Sequence, residues 1–190
     1  VSDEIESDSL IVQKYRESGF LFKLAKQKKI KTFFIKPSQK ELLNHLTKDN
    51  EKEDIISWIF LNLLIYSNKN IDFIKNSLKL ITKQLKIKES NLYFLIYNRL
   101  KKHIKGNKPE TIETLIKNIS IAEAKKIENP FIKYSKTNKV GTDLNLIQDH
   151  LMAKNILSLL KKNKNVFSVM GLNHVICQRP IFKSFFYKNN

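Results

Sequence analysis

Between Ser38 and Ala122 apolar residues recur at spacings of three and four almost without a break, and that periodicity leaves few folds open. Ile71, Ile74, Leu78, Ile81 and Leu85 form one continuous stripe. Leu92, Leu95, Ile96, Leu100 and His103 form another, closed by Gly106. Pro109 suits the first turn of a further helix, whose stripe is Ile112, Leu115, Ile116, Ile119 and Ala122. The segment holding Ile55, Ile56, Ile59, Phe60, Leu63 and Leu64 is apolar over so wide an arc that it belongs at the centre of a helical assembly. Its longest apolar run, Ile55 to Tyr66, falls short of the roughly 20 residues a bilayer span requires, so it reads as a buried helix. The four Gly and four Pro argue against a loop-rich or all-β architecture.

Local signals set the boundaries. Ser38-Gln-Lys-Glu41 is a capping box, and Asn50 or Thr47 is placed to cap the next helix, with Glu51, Glu53 and Asp54 in its first turn. Residues 1–9 are acidic and polar, and a helix from Leu10 to Lys29 follows with Ile11, Tyr15, Phe22 and Ala25 at helical spacing. Asn129 to Gly141 reads as a lysine-rich loop anchored by Phe131, Ile132 and Tyr134. Asp143 to Lys162 is the last long helix, striped by Leu144, Ile147, Leu151, Met152, Ile156 and Leu159. Arg179-Pro180 precedes a short apolar helix with Ile181, Phe182, Phe185 and Phe186.

Two segments break the helical rule. Ile30-Lys-Thr-Phe-Phe-Ile35 is β-branched and aromatic and ends before Pro37, and Val166–Met170 is a similar run stopping at Gly171. Both read as strands. The expected fold is therefore α/β but helix-dominated: a small parallel or mixed sheet with a large all-helical insertion or cap. Two strands cannot build such a sheet, so the chain is expected to be the C-terminal portion of a larger α/β domain, its other strands upstream of Val1. At 190 residues it is taken as a single domain, with 1–37 and 129–190 as the α/β base and 38–128 as the helical insertion.

The same geometry suggests a site. A crossover helix over 143–162 runs antiparallel to the strand it feeds, so its N-terminus lies beside the strand's C-terminal edge, where open α/β sheets place their ligands. Gln148 shares the inward stripe with Leu144, Leu151 and Met152, and Asp149 flanks it. Gly171 permits a tight strand exit and close ligand approach, and His174 follows three residues later as metal ligand or general base. Against this stands an ordinary strand-exit histidine bonded to a carbonyl. Cys177 is the only cysteine, which excludes an internal disulfide and a Cys-rich zinc site.

The formal charge is +17, and the excess is lysine: arginine occurs only at Arg16, Arg99 and Arg179. Lys, Asn and Ile are abundant together, as in an AT-rich, bacterial-like coding sequence. Nucleic-acid interfaces favour arginine on one face, interleaved with aromatics, whereas these lysines are spread over nearly every helix. They read as a solvated surface, with nucleic acid as a partner only through nonspecific lysine charge. No signal or membrane span is visible, which favours the cytoplasm, although Val1 in place of Met leaves room for upstream residues.

The helix Gln148-Asp-His-Leu-Met-Ala-Lys-Asn-Ile-Leu157 followed by Asn165-Val-Phe-Ser-Val-Met-Gly-Leu-Asn-His174 resembles the C-terminal end of the TraB/Tiki superfamily. That group includes TraB/GumN-type, erythromycin esterase-like and ChaN-like haem-uptake proteins. The Leu24-Ala25 helix, the Lys31–Ile35 strand and Pro37-Ser38 are similar to its middle section. The resemblance implies an α/β hydrolase domain, assisted in Tiki-type members by a divalent metal. Gly171 and His174 match its second Gly-x-x-His motif and Asp149 its acidic position; in the hydrolase reading His174 is base or metal ligand, Asp149 orients it as the second catalytic residue, and Gln148, Gly171, Asn173 and Arg179 contact substrate. Two departures count against catalysis. Gln148 stands where the family has Arg, removing a bidentate anion clamp. The first of the family's two Gly-x-x-His motifs is absent, and one histidine cannot make a hydrolytic zinc site. The expectations are thus an incomplete or degenerate hydrolase or, in its place, a non-catalytic binding protein for an acidic small molecule, haem or a protein partner. A lysine-rich nucleic-acid-binding helical protein is the third.

Overall fold

A computed structural model describes residues 19–104, 108–129, 136–162 and 165–188. Contacts divide the chain into two units, Val1–Lys36 with Met152–Asn190, and Pro37–Leu151.

The unit 37–151 is a helical assembly. It contains α2 (Gln39–Asp49), α3 (Lys52–Tyr66), α4 (Ile71–Leu85), α5 (Glu89–Leu100) with a 3-10 turn at Lys101–His103, α6 (Ile112–Asn118) and α7 (Ile121–Glu128). The first part of α8 (Lys136–Lys162) also belongs to it. Helix α3 packs against α2, α4, α5 and α7. Ile55, Ile56, Phe60, Leu61 and Leu64 of α3 are fully buried, so apolar residues on every side of this helix meet a partner. Amphipathic α4 contributes Ile74 and Leu78, α5 Ile96 and Leu100, and α6 Leu115 and Ile116.

The helix ends show why the chain breaks where it does. Ser38 Oγ accepts from the Glu41 amide at 3.2 Å, and Asn70 Oδ1 accepts from Phe73 N at 3.0 Å. Helix α4 stops at Lys86, whose φ of 54° ends the helical hydrogen bonding. Pro109 does not open a helix. Thr111 caps α6 in a reciprocal box with Thr114, and the single helix expected through Ala122 ends at Asn118, with Ser120 capping α7. The residue before α3 is Glu51, without a side-chain cap; Asn50 instead donates to Asp143 at 2.8 Å and ties α2 to α8.

Helix α8 starts at Lys136, ahead of the Asp143 start read from the sequence, so the end of the expected loop is helical. Phe131, Ile132 and Tyr134 lie outside the described residues. Tertiary contacts explain the longer helix. Thr137 and Asn138 are buried, and Asn138 donates to the Asn129 carbonyl. A Cβ on Gly141 would sit 2.8 Å from Trp58 Nε1, so only glycine lets α8 lie this close to α3.

The other unit overturns the α/β expectation. Among the described residues there is no strand and no sheet. Its described residues form α1 (residues 19–27), the irregular segment 30–36, the end of α8, the irregular segment 165–171 and α9 (Leu172–Lys188). The β-like composition of Ile30–Ile35 and Val166–Met170 reports side chains suited to a pleated, half-buried surface. Without a neighbouring strand such residues gain no ladder and remain irregular. The Ile35 carbonyl instead accepts from the Asn155 side chain at 3.0 Å. The sheet edge expected to hold a site is therefore absent, and with it the small sheet of the predicted base. Helix α9 also begins well before Arg179-Pro180 and carries Pro180 inside it, where the sequence suggested a helix start.

Candidate anion-binding site

The residues singled out from the sequence fall on both units. Gln148 and Asp149 are half-buried on α8 within the unit 37–151. Gly171, Asn173, His174 and Arg179 belong to the other unit, at the start and middle of α9. Gly171 does not use a left-handed backbone. It ends the irregular segment, and its carbonyl accepts from the His174 amide at 3.0 Å in the first turn of the helix. His174 is thus a half-buried first-turn residue, not a group delivered by a strand. Within its unit the described residues contain no Asp or Glu to orient an imidazole. A metal does not fit either, because no three His, Cys, Asp or Glu side chains converge among the described residues.

Arg179 is different. It lines a cavity of about 510 Å³ formed where segment 165–171 lies along α9. Met170, Val175, Phe182 and Phe186 supply apolar walls, and Arg179, Lys183, Tyr187 and Ser168 supply polar groups. One turn of helix separates Arg179 from Lys183, so both cations project from the same stripe. Among the described residues neither has a carboxylate partner. The Ser168 hydroxyl is buried there without a hydrogen-bond partner among the described residues. A guanidinium, an ammonium and an unsatisfied hydroxyl at one apolar cavity is a donor set for an oxyanion attached to an apolar body.

The sequence reading found Arg179 but missed Lys183, Ser168 and Tyr187. The available signal was the i,i+4 pair of cations flanked by aromatics at i+3 and i+7, with no acid nearby. Pro180 hides it, because proline suits the first turn of a helix and so masks the turn before it.

The densest polar network lies elsewhere, at the start of α3. Asp54 is buried; its Oδ1 lies 3.3 Å from Arg99 Nε and accepts from Thr137 Oγ1 at 3.3 Å. Arg99 also pairs with Glu51, which takes Lys136 at 3.3 Å as a second partner. Burial pushes the Asp54 carboxyl above its ordinary range, with Arg99 and Thr137 offsetting part of the shift. Lys136 and then Arg99 hold the exposed Glu51 below its ordinary range. These groups satisfy one another across α3, α5 and α8. The network is a clamp between helices.

No family model matches this chain, and no curated protein or solved structure matches it either. No helix among the described residues is long and apolar enough to cross a membrane.

Proposed function

We propose that the chain is a binding protein for an acidic small molecule with an apolar body, held in the cavity between segment 165–171 and α9. Two cations without a carboxylate partner among the described residues, and the buried Ser168 hydroxyl, at an aromatic-walled cavity carry this reading. The anion is held by Arg179 and Lys183, and the apolar body packs on Phe182, Phe186 and Met170. A cavity of this size suits a metabolite-sized ligand. The hydrolase alternative drew its geometry from a sheet edge that the described fold lacks, so binding is the better supported reading.

Calorimetric titration with dodecanoate and with dodecanol separates charge recognition from apolar adhesion. Dodecanoate is expected to bind at least about tenfold more tightly, the scale of one charge-assisted hydrogen bond. Arg179→Ala and Lys183→Ala should each erase most of that preference while leaving dodecanol unaffected. Equal binding of acid and alcohol, or an unchanged preference in both variants, overturns the proposal.

A further inference from the structure

The described residues of the two units differ in charge pattern. Residues 37–151 mix 13 acidic side chains with 20 basic ones. Residues 19–36 carry six lysines, and residues 152–190 carry six lysines and Arg179, with no Asp or Glu in either stretch; the unit's five acids, Asp3, Glu4, Glu6, Asp8 and Glu17, all fall in residues 1–17, outside the described residues. The unit built from these stretches also displays apolar surface. Phe34 is 89% exposed, Phe167 83%, Leu172 72%, and Ile30 and Ile176 about 60%. Helix α9 is inverted in pattern: Leu172, Ile176, Arg179, Lys183, Phe186 and Tyr187 share an exposed stripe, while Gln178 is fully buried.

We propose that this unit docks on the surface of an anionic lipid bilayer. Its exposed aromatic and aliphatic side chains enter the headgroup–acyl boundary, and its lysines sit among the lipid phosphates. Exposed apolar surface together with positive charge that meets no acid among the unit's described residues is what interfacial binding requires, and lysine stems reach from the apolar boundary to the headgroups. No membrane span is needed. The charge pattern selects this occupant over two others. A second copy of the same surface would bring like charges together. A nucleic acid would stack on the phenylalanines but leave Ile30, Leu172 and Ile176 in water, and Arg179 is the single arginine in the described part of the unit. This inference uses side chains outside the cavity as well as along α9, and it stands whether or not dodecanoate binds.

Cys177, the only cysteine, is exposed on α9 beside Ile176 and takes a polarity-sensitive fluorophore on the full chain. Vesicles of phosphatidylcholine with about 30% phosphatidylglycerol should shift its emission to the blue, and brominated acyl chains should quench it. Pure phosphatidylcholine should do neither, and raised salt should weaken binding. Phe34→Ser and Phe167→Ser should each lower partitioning about tenfold, the scale of one phenyl group left in water. Because both rings are exposed, circular dichroism and melting should be unchanged, which separates lost docking from lost folding. Equal binding to neutral vesicles, no binding to anionic ones at low salt, or full binding by both serine variants overturns the proposal. Binding of single-stranded RNA in place of vesicles, or a dimer dissolved by the same variants, overturns it too.

Discussion

Trp58 and Gly141 show how tightly one residue can set the spacing of two helices. The Trp58 Nε1 is buried without a hydrogen-bond partner among the described residues, and the glycine lies directly against it. Gly141→Ala places a methyl carbon 2.8 Å from that nitrogen, 3.3 Å from Trp58 Cε2 and 3.4 Å from the Glu128 carbonyl. Alanine gains about 1 kcal/mol of helix propensity, but overpacking a rigid indole costs about 1–3 kcal/mol. A net loss is expected, read as a lower urea midpoint with an unchanged slope; a stabilised variant would show that α8 can move away from α3. At Asp54 the sign of a pH effect is fixed by the cause of the shift. A carboxyl raised by burial holds its proton more tightly when folded than when unfolded. Its contribution is therefore fully present below the ordinary 3.8 and is lost as pH climbs through the raised value. Asp54→Asn does not titrate, so the stability of wild type relative to this variant should fall as pH rises from about 3.8. Urea midpoints of both proteins across that range give the difference directly. An increase with pH would mean that attraction to Arg99 outweighs burial.

At the scale of elements, the helical unit was legible because its signals are local. The stripe Ile71–Leu85, the Ser38 cap and the wide apolar arc of α3 each follow from side-chain spacing that only a helix satisfies. Breaks set by tertiary contact were less legible. The start of α8 depends on Thr137 and Asn138 finding partners on other helices, and the interruption at Ile119–Ser120 depends on competing caps. The strands failed for a further reason. Ile30–Ile35 and Val166–Met170 have side chains that suit a sheet, but pairing requires a second segment, and no local pattern reveals whether one is present. In α9, Pro180 gave the wrong signal. Proline is well tolerated in a first turn and so signals a start, whereas here it lies inside a helix that already runs from Leu172. Because the site prediction inherited the strand, His174, Gly171 and Asn173 lost their sheet-edge setting, while Arg179 acquired a cavity for a reason the sequence reading had not used.

Across the whole molecule, backbone hydrogen bonding is dense in the helices and sparse in the two irregular segments that the second unit contains. The unit 37–151 is held by successive helices around α3, which buries Ile55, Ile56, Phe60, Leu61 and Leu64 over a wide arc. In segments 31–36 and 165–170 no amide donates a backbone–backbone hydrogen bond among the described residues. Local opening in a protein follows this distribution, because amides outside ladders exchange without any unfolding step. Hydrogen–deuterium exchange followed by peptide mass spectrometry should therefore show α3 slowest, approaching the limit set by global unfolding. Peptides covering 31–36 and 165–170 should be labelled at the earliest times. Slow exchange in both, on the timescale of α3, would require backbone pairing that this arrangement does not provide. Fast exchange in α3 itself would remove the helical unit's claim to a packed centre. The contrast between the two outcomes is large, since protection of a buried helix exceeds that of an unpaired segment by several kcal/mol of opening free energy.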